Sequence, residues 1–118
     1  MGDARQGIGA AAERAVEGWY RERGYEILAR NWRVREGELD IVARRASVVV
    51  VCEVKARSHA RFGTPVEAIT RTKQLRIRRL AGAFLAAHPQ HGCTIRFDVA
   101  SVTPGGSAPH IDVLEGVF

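Results

Sequence analysis

Apolar residues near the N-terminus recur at a helical period. Ala12, Val16, Trp19 and Tyr20 fall on one stripe, which predicts a helix over 10–23, and Gly24 follows at the C′ position. Glu13 lies on the edge of that stripe, where a carboxylate is either solvated or aimed at something. Residues 1–9 are polar and Gly-rich and read as a mobile tail. The period then shortens. Residues 25–34, 38–43 and 48–55 read as three strands, with Arg35-Glu36-Gly37 and Arg44-Arg45-Ala46-Ser47 as turns. Residues 48–51 are continuously apolar, as a central strand covered on both faces requires.

Residues 58–63 read as a loop. Thr64-Pro65-Val66-Glu67 then has the signature of a helix start: an N-cap, a proline at the first helical position and a capping-box glutamate. This helix is predicted to run to about Ala87, before His88-Pro89. Ile77, Leu80, Ala81, Phe84 and Leu85 form its buried stripe, Lys73 and Gln74 extend the stripe by one turn, and Arg71, Arg78 and Arg79 point away. Two more strands follow, over 94–102 and about 110–114, joined through Pro104-Gly105-Gly106-Ser107. The pattern predicts one α/β domain over 10–118, a mixed sheet of about five strands with helices on it.

Chemistry enters with the second and third strands. A hairpin about Ala46-Ser47 sets Asp40 opposite Glu53 and Glu38 opposite Lys55, all four on one face by alternation. Directly opposed Cβ atoms lie about 5 Å apart, and two carboxylates there repel each other. A hard cation between them removes the repulsion, and oxygen donors suit Mg²⁺ or Mn²⁺. Asp40 and Glu53 are the expected metal ligands, with the backbone carbonyl of Val54 as a third oxygen. Such a metal neutralises phosphodiester oxygens and lowers the pKa of its water. Lys55 is placed to orient that water or to stabilise the pentavalent charge. Glu13 is placed to reach the metal through water or to hold a second ion, whereas Glu38 is open to pairing with Lys55. The bland alternative is an exposed strand face with cross-strand ion pairs, which leaves Asp40 opposite Glu53 unexplained.

The chain has 118 residues, a net charge of +5 and a pI near 10.0, a balance that favours an anionic partner. Arg57, Arg61, Arg71, Lys73, Arg76, Arg78 and Arg79 follow the acid pair, and with Gln74 they form a candidate nucleic-acid surface. Such charges hold phosphates and read little sequence; the alternative is an amphipathic helix whose polar face is arginine-rich. Trp32 is a candidate for base stacking, as is Trp19 unless it packs in the core. Cys52 reads as a buried thiol, and neither it nor Cys93 belongs to a CxxC or zinc-finger pattern. The four histidines read as surface residues. With no apolar stretch of 18 residues and no charged-then-apolar leader, the chain is expected to be soluble and cytoplasmic, with no membrane partner.

Several motifs together resemble the YraN-like bacterial family. They are Glu13, Gly24-Tyr25-Glu26-Ile27-Leu28, Asn31-Trp32-Arg33, Gly37-Glu38-Leu39-Asp40-Ile41-Val42 and Glu53-Val54-Lys55-Ala56-Arg57, followed by Phe62-Gly63, Glu67-Ala68, Lys73, Arg96-Phe97-Asp98-Val99 and Gly116-Val117-Phe118. One departure is Ala12, where a glycine is expected before the acid. The resemblance implies a restriction-endonuclease-like α-β-β-β-α-β-β core, similar to archaeal Holliday-junction resolvases, with Glu13, Asp40, Glu53 and Lys55 in the nuclease positions. It implies a Mg- or Mn-dependent endonuclease acting on DNA, structure-selective in the resolvase manner. Such a role calls for a homodimer, because two strands are cut symmetrically. The alternatives are a non-cleaving nucleic-acid-binding module with the same fold, and a protein-interaction subunit whose basic face meets an acidic partner.

Overall fold

A computed structural model describes residues 4–57 and 69–118, with side chains from Gly9 onward. The elements are α1 (Ala4–Glu22), β1 (Glu26–Val34), β2 (Gly37–Arg45), β3 (Val48–Ala56), α2 (Arg71–Ala87), β4 (Thr94–Thr103) and β5 (His110–Leu114). The five strands form one sheet in chain order. All neighbours are antiparallel except β3 and β4, which run parallel. A parallel pair needs a long crossover, and α2 lies within it. The order α-β-β-β-α-β-β and the mixed sheet are those the apolar pattern predicts, and they are compatible with a nuclease-like core.

The sheet is covered on both faces. Ala12, Val16 and Tyr20 of α1 pack with Ile41, Val50, Cys52 and Ala100. Ile77, Leu80, Ala81 and Phe84 of α2 pack with Leu39, Val42, Val49 and Val51. The unbroken apolar run of β3 is thereby explained, since alternate residues feed different layers. A Cβ on Gly37 would lie 3.1 Å from Leu80 Cδ1, so α2 sits directly against the start of β2.

Both helix starts differ from expectation. α1 begins at Ala4, so residues 4–9, expected in the tail, are helical. Once a helix has nucleated, each added residue gains a hydrogen bond, which offsets the roughly 1 kcal/mol that a glycine costs. α1 ends as predicted: Gly24 has φ 88°, and the N–H groups of Gly24 and Tyr25 reach the carbonyls of Arg21 and Tyr20 at 3.0 and 3.1 Å. α2 begins at Arg71, with Thr70 as its N-cap, the hydroxyl accepting the Lys73 N–H at 3.1 Å. The Ile69-Thr70 doublet is β-branched and propagates a helix poorly, while threonine caps one well. The cap expected at Thr64-Pro65-Val66-Glu67 and the loop 58–63 lie outside the described residues.

Asp98 is fully buried and binds distant segments together. It accepts hydrogen bonds from Tyr20 Oη at 2.7 Å, Arg96 Nε at 2.9 Å and the Gly116 N–H at 2.9 Å. Arg96 Nη2 also donates to Tyr25 Oη at 3.0 Å. Val117 N–H then meets the Phe97 carbonyl at 2.9 Å, and Phe118 stacks on Phe97.

Removing one partner of a buried charge pair strands the other. Asp98→Ala is therefore expected to destabilise the protein by about 3–5 kcal/mol, and Tyr20→Phe by about 1 kcal/mol. Urea unfolding followed by tryptophan fluorescence measures both. A loss below about 1 kcal/mol for Asp98→Ala would show that this network is not holding the termini to the sheet.

Candidate functional site

The β1–β2 ladder pairs Arg30 with Ile41 and Trp32 with Leu39, so Asn31 and Asp40 lie across from each other between these pairs. Asn31 has φ 53°, a left-handed value that asparagine tolerates better than most residues. Alternation breaks at this level. Leu39 packs on the α2 side and Ile41 on the α1 side, although they are two residues apart. The outer end of the hairpin is thus turned over relative to its base, and Asp40 sits at the changeover.

The β2–β3 register places Ile41 opposite Cys52 and Val42 opposite Val51, which is the predicted alignment. The ladder stops there. The next position is Asp40 beside Glu53, where the Val54 N–H donates to Asp40 Oδ2 at 2.9 Å instead of to a backbone carbonyl. In an antiparallel strand a residue's N–H and C=O face the same neighbour, so the Val54 carbonyl also faces the Asp40 edge. Glu38 is not opposite Lys55, and the expectation that all four residues share one face is corrected. The turnover at Asp40 carries Glu38 to the α1 side, where it pairs with Arg33.

Three carboxylates converge from α1 and β2: oxygens of Glu13, Glu38 and Asp40 all lie within 4.8 Å of one another. Glu13 Oε2 is buried and has no hydrogen-bond partner among the described residues. Burial pushes its carboxyl above the usual range, with the Glu38 charge adding to this and the Asn31 side chain opposing it. Asp40 is pushed up to about 8, first by burial and then by the Glu53 charge, while the Val54 N–H pulls the other way. Burial and the Glu53 charge thus disfavour Asp40 as an anion.

Glu53 is neutralised differently. It continues the α2-side alternation of Val49 and Val51, and its Oε1 lies 2.6 Å from Lys73 Nζ and 3.6 Å from Lys55 Nζ. Burial and the neighbouring Lys73 lower the Lys55 ammonium. Burial also pulls Lys73 down, but its hydrogen bond to Glu53 more than reverses this and leaves it raised. Gly37, Glu38, Asp40, Glu53, Lys73 and Arg76 line one hollow of about 310 Å³. Its donors are all oxygens, one further oxygen from Glu13 is unpartnered, and Asp40 is destabilised as an anion. That set fits a hard divalent cation.

The structure thus brings Glu13, Asp40, Glu53 and Lys55 together and adds Glu38 and Lys73. The position of Lys73 on an extension of the buried stripe was the sequence signal for its inward aim. The basic residues separate. Arg76 lines the acid hollow and joins it to a second hollow with Arg79 and Glu36. Arg71 is exposed at the start of α2, and Arg78 lies over the Phe97 ring at 4.7 Å. Arg57 lines a separate, apolar hollow with Ala12, Val102 and Pro104. The Gln74 amide donates to the Ile69 carbonyl at 3.3 Å, which supports the start of α2. Trp32 packs edge-on against Phe84 and Trp19 against the α1 cluster, each half-buried. Arg61 lies outside the described residues. Among the described residues, no helix is long and apolar enough to cross a membrane.

The model of the uncharacterised protein family UPF0102 matches residues 12–102. A UPF0102 protein of Nocardia farcinica is 50% identical over 120 residues, covering 100% of this chain and 93% of its own length. One from Beutenbergia cavernae is 46% identical over 116 residues, covering 97% of this chain and 98% of its own. The matched region runs from α1 to the end of β4 and includes every carboxylate and lysine of the site. The chain belongs to UPF0102, the YraN-like family.

Proposed function

We propose that this protein is a metal-dependent nuclease that hydrolyses DNA phosphodiesters, with a structure-selective, resolvase-like preference. The observation that carries the reading is the destabilised Asp40–Glu53 pair, with two lysine ammoniums close to Glu53 and a Glu13 oxygen that has no hydrogen-bond partner among the described residues. Asp40, Glu53 and the Val54 carbonyl would hold Mg²⁺ or Mn²⁺, with Glu13 and Glu38 adjoining. The ion supplies charge neutralisation at the phosphate and a more acidic bound water. Lys55 orients the attacking water and offsets the charge that builds on the pentavalent phosphorus. Arg76 and Arg79 hold flanking phosphates and give affinity without base specificity. The presence of Asp40, Glu53 and Lys55 together favours cleavage over a module that only binds.

Asp40→Asn is expected to weaken Mn²⁺ binding and to abolish cleavage. Lys55→Ala removes a positive charge beside the cation, so binding persists or tightens while cleavage is lost. Calorimetric Mn²⁺ titration, with a panel of branched, nicked, single-stranded and duplex DNA, reads both effects. If the wild type binds no divalent cation at millimolar levels and cuts nothing in the panel, the non-cleaving module takes precedence.

Without metal, the raised Asp40 pKa has a definite sign. Between the unfolded value of 3.8 and the folded value of about 8 the native state binds the extra proton, so its stability falls as pH rises through that window. Asp40→Asn lacks the group and escapes the fall. Thermal melts in EDTA at pH 5 and pH 8.5 are expected to show the variant gaining on the wild type at the higher pH. A variant that melts markedly lower at both values would mark the acid pair as structural.

Replacing Arg76 and Arg79 with Ala is expected to weaken DNA binding equally across sequences and to flatten its salt dependence by about two phosphate contacts. Affinity that does not change, or that never falls with salt, would reduce this helix face to solvated charge.

A further inference from the structure

We infer that Lys73 is a resident counter-ion of Glu53 which the divalent cation displaces, and that its freed ammonium then holds a phosphate of the nucleic-acid strand. This rests on the metal-dependent reading above and adds a residue that moves between two anions. Lys73 Nζ lies 2.6 Å from Glu53 Oε1, at hydrogen-bond distance, with Lys55 Nζ 3.6 Å from the same oxygen. A cation that takes Glu53 meets positive charge at that oxygen. Glu13 is the contrast, because its buried Oε2 has no hydrogen-bond partner among the described residues.

Lys73 is the lysine able to yield. Lys55 lies within the β3–β4 ladder opposite Ser101, two residues from Glu53 on the same strand. Lys73 lies in the first turn of α2, its backbone fixed by the Thr70 cap, and its side chain enters from the helix and not from the strand that carries Glu53; the two lysines are equally exposed, at 26% each. Arg76 is three residues further along α2, on the same helix face, and lines the same hollow. Rotation of the Lys73 side chain away from Glu53 would leave its charge in the hollow that Arg76 also lines, where the reading above sets a phosphate. Displacement on cation binding would then couple metal occupancy to strand affinity.

The test uses the full chain. Lys73→Met is expected to bind Mn²⁺ about tenfold tighter than wild type by calorimetry, and Lys73→Arg, which keeps the charge, to stay close to wild type. A fluorescent phosphorothioate single-stranded oligonucleotide then reports strand binding without turnover. Its affinity ratio with and without saturating Mn²⁺ is expected to be several-fold larger for wild type than for Lys73→Met. A side-chain NMR shift of the Lys73 ammonium on adding Mg²⁺ to the wild type tests displacement without any substitution. Equal or weaker Mn²⁺ affinity in Lys73→Met, an unchanged oligonucleotide ratio or a stationary Lys73 resonance overturns the inference alone, provided that the wild type binds the cation. A wild type that binds no Mn²⁺ overturns the metal reading with it.

Discussion

Asn31, held at φ 53° across from Asp40, turns the outer end of the β1–β2 hairpin over relative to its base. The rest of the site depends on that turnover. Without it Glu38 would face β3 and Glu13 would meet an apolar strand surface. With it, carboxylates from α1 and β2 meet on one side of Asp40, while Glu53 and two lysines meet it on the other. The ladder between β2 and β3 ends one residue short of the acid pair, which leaves the Val54 N–H to satisfy Asp40. A sheet edge opened in this way provides both polar groups and room, two things that a continuous ladder lacks.

The four acids are accommodated in different ways. Glu38 pairs with Arg33. Glu53 is paired with lysines, Asp40 accepts the Val54 N–H and is disfavoured as an anion, and one oxygen of Glu13 has no hydrogen-bond partner among the described residues. Buried polar atoms are nearly always hydrogen-bonded, so an unpartnered carboxylate oxygen beside a destabilised one is unusual in a region kept only for structure. Strain of this kind concentrates at functional sites and is sustained by stable surroundings. The surroundings here are the two apolar layers and the Asp98 network, which ties α1, β4 and the C-terminal segment together.

Much of the fold was legible in the sequence, because its signals are short-range. The apolar run of β3 required cover on both faces, and α1 and α2 supply it. The turn at Ala46-Ser47 fixed the β2–β3 register, and with it the neighbourhood of Asp40 and Glu53. The stripe on α2 named Ile77, Leu80, Ala81, Phe84 and Leu85; the first four are buried and Leu85 is half-buried beside them. The start of α2 was not legible, since Thr70 and Thr64 are both competent caps in the sequence.

For the site, sequence determined which chemical groups come near one another: strand pairing follows from alternation and turn length, and helix faces from a fixed period. Tertiary structure decided which partner each group takes. Alternation carried past Asp40 assigns Glu38 to Lys55, but one left-handed residue on the neighbouring strand reverses the face and gives Glu38 to Arg33 and Glu13. Lys73 reads both as an extension of the buried stripe and as a member of the basic cluster, and only the docking of α2 against the sheet sets it on Glu53. These outcomes depend on the packing of elements far apart in the chain, at distances of a few ångströms that no local period specifies.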